Sequence, residues 1–512
     1  MQDSGRSNRL PNARLGPLSG ICAVSVVALL SAIPAASAAV INVVDVIPNS
    51  DSAEAFQNSE PSLAVNPLNT LQMIAGSFGN GTPFFKSVNG GTIWTDYGNL
   101  STSDKSLAWR QDGVAALAAT LQVLTPPPRF TSQIQTFSGT IAAANFGVPI
   151  NTFPSAPPAQ ALDQPWIRTG ASGQTYETYN NLSNAGGRTA AIRVSSDNGV
   201  TFAAPVTLET VNPTGGQDAP SVRSAVDGNT VYAAFTRWGT GSATTGGDIF
   251  SNSQVVVVRS TNSGASFSAG TTAATTTGYF STTNNTPLTL GQERTGSDIA
   301  IAVDPNNANH VVVAYGDRTG AGQLQLKVVE SIDGGATWSN KFTTPAAVRS
   351  ALPGVSILTD GAIGLLYAQY DPATNQLSQH LLTTTDDFAT TTDSLLGRES
   401  NATPASVFDP YLGDFYDLTS VDDTFFGVFS ASNADDGTDA LFASATFQRD
   451  FIGTPGTASF ALRNLAGGPV DFSIDPFVFA FNLAVTPAPE PATLTLLGTA
   501  LLGLAALRRR RT

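Results

Sequence analysis

One short pattern, Ser-x-Asp/Asn-x-Gly-x-x-Trp/Phe, recurs four times in this chain and constrains its fold more than any other feature. It occurs as Ser87, Asn89, Gly91 and Trp94, and again as Ser195, Asp197, Gly199 and Phe202. The third copy is Ser260, Asn262, Gly264 and Phe267, and the fourth is Ser331, Asp333, Gly335 and Trp338. A worn copy at Thr384, Asp386 and Phe388 lacks the glycine. The residue types are those of a hairpin turn: Asp or Asn accepts from nearby backbone N–H groups, glycine supplies a positive φ, and the aromatic packs between neighbouring sheets. A supersecondary unit repeated this way cannot bury its own face and must stack against its copies.

A second unit is an acidic residue followed by a short apolar strand. It starts at Glu60, Asp112, Asp163, Asp218, Asp298 and Asp414, with a charge-free version around Pro353 to Ile357. Successive starts lie 51 to 61 residues apart, except for one interval of 80 that holds a Thr-rich insert, Thr271 to Thr289, read as a surface loop. Apolar runs are short and alternating, with Gly and Pro frequent and no long amphipathic helix, so the fold class is all-β. A unit of this length is one four-stranded blade, and seven units predict a β-propeller. The two motifs together resemble the Asp-box, or BNR, propellers of the sialidase superfamily over roughly residues 50 to 447. That resemblance implies box turns between the third and fourth strands of each blade, remote from the central pocket. It also raises a six-blade alternative, in which the first and last units share a blade.

The two ends carry addresses. Residues 1–38 combine Arg6, Arg9 and Arg14, an apolar stretch from Ile21 to Ile33 and the small-residue site Ala36-Ser37-Ala38. These are the parts of a cleavable secretory signal peptide. At the other end Pro489, Glu490 and Pro491 precede an uncharged run from Ala492 to Leu507 and the cluster Arg508, Arg509, Arg510 and Arg511. Prolines stop any strand, the apolar run is close to a membrane-spanning length, and the arginines stay cytoplasmic. The last segment, 487–512, closely resembles the PEP-CTERM sorting signal with its transmembrane helix. That resemblance implies processing by an exosortase of a Gram-negative bacterium, an inner-membrane-anchored intermediate after Sec-type export, and a final place at the cell surface or in the exopolysaccharide and biofilm matrix. The domain reading is therefore signal peptide 1–38, propeller 39–450, hairpin extension and stalk 451–486, and sorting segment 487–512.

Charge narrows the partners. The chain has a net charge of −14, and most of its clustered basic residues lie in the two removable ends. An acidic body repels phosphate backbones and anionic lipid, which argues against nucleic acid as a partner and for divalent cations; extracellular polysaccharide enters only through the sorting-signal resemblance. The single cysteine, Cys22, falls in the signal segment, so the mature chain forms no disulfide.

The sialidase resemblance implies an arginine triad, a Tyr nucleophile and an acidic partner, but no arginine lies between Val40 and Trp109, where the family's first one belongs. Arg237 and Arg318 are the better remaining arginines, and Asp414 with Tyr416 or Tyr411 the nucleophile candidates. His310 and His380 are too few and too far apart in sequence to argue for zinc. If the strand starts are equivalent, Glu60, Asp112, Asp163, Asp218, Asp298 and Asp414 ring one channel mouth and hold a cation, with calcium as the candidate ion. The alternative is that each carboxylate caps backbone N–H groups at its own turn. The expectation is a non-catalytic binding or structural propeller, with a sialidase-like glycoside hydrolase acting on extracellular glycans as the alternative.

Overall fold

The computed structural model describes residues 41–483, apart from 126–130, 155–159, 184–188, 210–220, 245–246, 282–297, 321–322, 401–403, 406–410, 435–444, 455–456 and 458. Seven antiparallel blades follow one another along the chain. Their innermost strands are Ser59–Val65, Lys105–Trp109, Leu162–Thr169, Val222–Asp227, Ile299–Asp304, Arg349–Ile357 and Asp417–Val421. Each of these packs against the two on either side, so the seven close a ring around one axis.

Each blade is covered on both faces by its neighbours, which explains why the middle strands read as apolar runs rather than alternations. Val311, Val312, Val313, Ala314 and Tyr315 are all buried: Val311, Val313 and Tyr315 pack toward the fourth blade, Val312 and Ala314 toward the sixth. Burying one Val or Leu this way contributes roughly 1.5–3 kcal/mol. The outermost strands are covered less. In Thr95–Leu100 only Tyr97 is fully buried, while Thr95, Asp96 and Asn99 face solvent.

The recurrent turns join third to fourth strands in five blades and share one hydrogen-bond pattern. Ser331 Oγ donates to Asp333 Oδ1 at 2.8 Å and accepts from Gly335 N at 2.8 Å, while Thr337 N and Oγ1 donate to the two Asp333 oxygens at 2.9 and 2.6 Å. The Thr337 bonds hold the Asp333 carboxyl down at about 2. The worn copy keeps the same pattern: Phe388 N donates to Thr384 Oγ1 at 3.0 Å and Thr390 N to Asp386 Oδ1 at 2.8 Å. Phe388 takes up the positive φ where the other copies have glycine, and its ring stacks on Phe342 of the preceding blade.

The last blade is assembled from both ends of the body. Its strands run Asp417–Val421, Thr424–Ser432, Ile474–Asn482 and, outermost, Val43–Asp45, with Val44 opposite Val478. This seam encloses a buried ion cluster. Arg449 pairs with Asp45 and Asp475, all three fully buried, and its Nη1 donates to the Glu54 carbonyl at 3.1 Å.

Three boundaries differ from the sequence reading. The second blade starts at Lys105, and Asp112 lies beyond its first strand, on the turn to Ala116–Thr125, where it pairs with Arg110. The Thr-rich stretch is not a loop at its start: Thr271–Ser281 is the outermost strand of the fourth blade, with Ala273, Thr276 and Tyr279 buried at a spacing of three that follows two register shifts in its pairing with Gly247–Ser260. Ile474–Asn482 belongs to the last blade, and only Phe451–Ile452 with Ala461–Leu462 forms a separate small hairpin. The segments read from the sequence as a signal peptide and a C-terminal transmembrane helix lie outside the described residues.

Candidate functional site

The axis is reached where the innermost strands begin. In three blades the first turn of strand is a bulge before proline: Glu60, Gln164 and Leu352 precede Pro61, Pro165 and Pro353 and take φ values of 50°, 49° and 58°. Such left-handed residues cost roughly 1–2 kcal/mol each and persist where their surroundings compensate. Here the compensation is a polar cluster. Gln164 Nε2 donates to Asp414 Oδ2 at 2.7 Å, Ser221 donates to Gln164 Oε1, and the Lys105 ammonium donates to the Glu60 carbonyl.

Aromatic rings close the axis behind this cluster. The Arg223 guanidinium lies 4.2 Å from the Trp166 ring centroid and 4.8 Å from that of Phe415, and the two rings meet edge to face at 5.2 Å. Arg168 lies over Trp166 at 4.3 Å and pairs with Asp417 at 3.1 Å, whose other oxygen accepts from Ser62 Oγ at 3.0 Å. Burial pushes the Lys105 amine down to about 8 and Arg223 down to about 10, with Asp414 opposing the latter. Beyond this plug the channel widens into a funnel of about 420 Å³, lined by the second halves of all seven innermost strands.

The predicted residues are distributed unevenly. Glu60 and Asp414 come together around Arg223, with Asp298 on a neighbouring strand start, where its Oδ1 accepts from Leu352 N at 2.6 Å. Asp163 Oδ1 accepts from the N–H of Gln164 at 3.0 Å, Asp112 is on its turn, and Asp218 lies outside the described residues. The bulges align Glu60 with Gln164 and Leu352 rather than with Asp163. Lys105 and Arg223 stand among Glu60 and Asp414. Tyr416 is buried and donates to the Ser430 carbonyl at 2.9 Å, and Tyr411 donates to the Pro404 carbonyl at 2.5 Å. Arg237 pairs with Glu209 and Arg318 lies 5.2 Å from the Tyr279 ring, each beside an outer strand of the preceding blade. Arg237 and Arg318 therefore do not converge on Tyr411 or Tyr416.

A larger concavity lies at the seam. A cleft of about 780 Å³ is lined by Asp51, Glu54, Phe56, Asn58, Asp96 and Asn99, among others from the N-terminal segment, the first blade and the loop at Asn464. Phe56 is about half exposed, at 48%. Glu54 Oε1 accepts from Phe56 N at 2.7 Å and Asn58 Nδ2 at 2.8 Å. Burial and then the Asp475 charge push its carboxyl up to about 8, and burial with Asp96 raises Asp51. Nothing in the sequence pattern pointed here, because the cleft sets residues 464–466 against 50–58 and 80–99 from the other end of the body and carries no repeat.

Residues 487–511 match the model of the PEP-CTERM protein-sorting motif, which marks the chain for export and processing by an exosortase. No curated protein matches the chain. Among solved structures it is similar to a protein of unknown function from Dyadobacter fermentans, at 11% identity and TM-score 0.38, covering 86% of this chain and 98% of that one. It is also similar to an ulvan polysaccharide lyase, at 11% identity and TM-score 0.42, covering 80% and 94%. An α-L-arabinofuranosidase from Fusarium graminearum aligns at 9% identity and TM-score 0.39, covering 87% and 98%.

Proposed function

We propose that this exported, C-terminally sorted propeller is a non-catalytic binding or structural protein of the cell surface or extracellular matrix, and that its ligand is a neutral extracellular polysaccharide taken up in the seam cleft. The observation that carries this reading is the cleft's chemistry. Asn80, Asn99 and Asn464 line it with side-chain amides, and Phe56 presents an exposed ring for a sugar face. Asp51 and Asp96 disfavour polyanions, in keeping with the chain's net charge of −14. The aromatic plug supports the same reading, since it fills the axis where a propeller enzyme would hold its substrate.

Affinity electrophoresis in gels containing neutral or sulfated polysaccharides tests it. The expected result is retardation by a neutral glycan that weakens about tenfold in Phe56→Ala, the loss of one stacking contact. Equal mobility of wild type and variant in every glycan would overturn the assignment. One observation favours the hydrolase alternative: Glu54, held protonated at neutral pH, shares the cleft with Asp51 and Asp96, as an acid and a base would. Release of reducing sugar that disappears in Glu54→Gln would put that reading first.

A further inference from the structure

We propose that His310, Glu330 and Asp387 form a divalent transition-metal site, best suited to zinc, that clamps the fifth blade to the sixth. His310 lies on strand Asn307–Gly320 and Glu330 on Gln323–Ser331, both of the fifth blade, and Asp387 on the turn that follows Gln376–Thr384 in the sixth. Each offers one donor atom, and the three atoms lie within 4.8 Å of one another.

Both imidazole nitrogens of His310 face carboxylates. His310 Nδ1 is 3.0 Å from Asp304 Oδ2, and Nε2 is 2.8 Å from Glu330 Oε1. A neutral imidazole carries one N–H. If Asp304 accepts it, Nε2 turns a lone pair toward a carboxylate oxygen, and two acceptors at that distance repel unless a cation joins them. A second proton serves one nitrogen and one oxygen. A metal ion also serves the third donor, Asp387, which converges on the same point.

The surroundings have the form of an outer shell. A carboxylate on the far nitrogen of a ligating histidine fixes its tautomer and orientation, which is the place of Asp304. The other oxygen of Glu330 is held by Lys341 Nζ at 2.5 Å. His310 and Glu330 are buried whereas Asp387 is exposed, which leaves room for water to complete a four-coordinate shell. One nitrogen and two oxygen donors suit zinc and exclude calcium and magnesium, which take oxygen ligands.

The turn that supplies Asp387 differs from its copies in the same direction. The corresponding residues are Gly90, Asn198, Ser263 and Gly334, all left-handed, and each is followed by a left-handed glycine. Here Asp387 and Phe388 occupy the two positions, at φ 53° and 66°. A carboxylate at a place where glycine is easier is accounted for if it ligates.

The test uses the purified protein stripped with a chelator and titrated with zinc sulfate by calorimetry, with thermal melting in parallel. The expected result is one zinc ion bound per chain and a raised melting temperature, with no response to calcium. Asp387→Gly should keep or raise the melting temperature of the metal-free protein, because it relieves the backbone, yet weaken zinc about tenfold or more; His310→Asn should remove it. Absence of zinc heat, which would leave a shared proton as the cation, overturns the proposal. So does zinc binding that survives both substitutions.

Discussion

Six blades are each folded from one continuous stretch of chain, and the seventh is stitched from two. In the continuous blades the fourth strand follows the third through a short turn, and in five of them that turn is held by bonds among residues no more than four apart, as in Ser195 to Gly199 and Asp197 to Thr201. The seam has no such turn, since its outermost strand, Val43–Asp45, comes from the other end of the body. What holds it instead is burial and a charged cluster whose members, Asp45, Arg449 and Asp475, are far apart in sequence. Local turns need only the right residues in order, whereas the seam must recover the cost of closing a loop of about four hundred residues.

The largest expected effect tests the seam. Arg449→Ala leaves Asp45 and Asp475 buried without their counter-ion and should cost about 3–5 kcal/mol in urea unfolding. A cost no greater than that of removing one turn would erase the contrast.

Protonation sharpens it. Burial raises Asp45 to about 7 and Glu54 to about 8, well above the values they have in an unfolded chain. The folded protein therefore holds protons that the unfolded chain releases, so this stability is fully present below about pH 4 and is lost as pH rises through 7 to 8. Each such group contributes a slope of up to about 1.4 kcal/mol per pH unit. Lys105, lowered to about 8 in the axial cluster, acts with the opposite sign only above that pH. The melting temperature should thus fall between pH 5 and 8, and Glu54→Gln should flatten the fall; a flat wild-type profile would count against the seam as the titrating region.

The smallest effect belongs to a turn. Ser195→Ala removes the acceptor of the buried Gly199 N–H, bonded at 2.9 Å, and should cost about 1–2 kcal/mol with the ring still closed. Hydrogen exchange confined to the third blade would separate this from global opening.

The legible parts of the molecule follow the same division. Seven units, four strands per unit and the five turns were readable, including the worn copy at Thr384, because each signal is short and repeats. The start of blade two lies seven residues before its expected place, since Asp112-Gly113 imitates an acidic strand start while the true one begins at Lys105, beside Glu60. The acidic ring was legible only as a list of charges. Arg223 and Lys105, which stand among Glu60 and Asp414, come from other blades and have no counterpart in the repeat. The seam cleft and the His310 cluster left no trace in the pattern, because their residues are brought together by ring closure and by blade stacking.

By itself the sequence determined that this chain is an all-β repeat protein with an address at its C-terminus, since periodic turns and a sorting motif are local and linear. Only the tertiary structure decided that the axis is plugged by Trp166, Phe415 and Arg223, that the ring closes through Val43–Asp45, and that carboxylates from distant segments share buried space. The physical reason is that burial, stacking and charge coupling depend on distance in space, and in a closed ring the nearest neighbours of an axial residue lie on other blades.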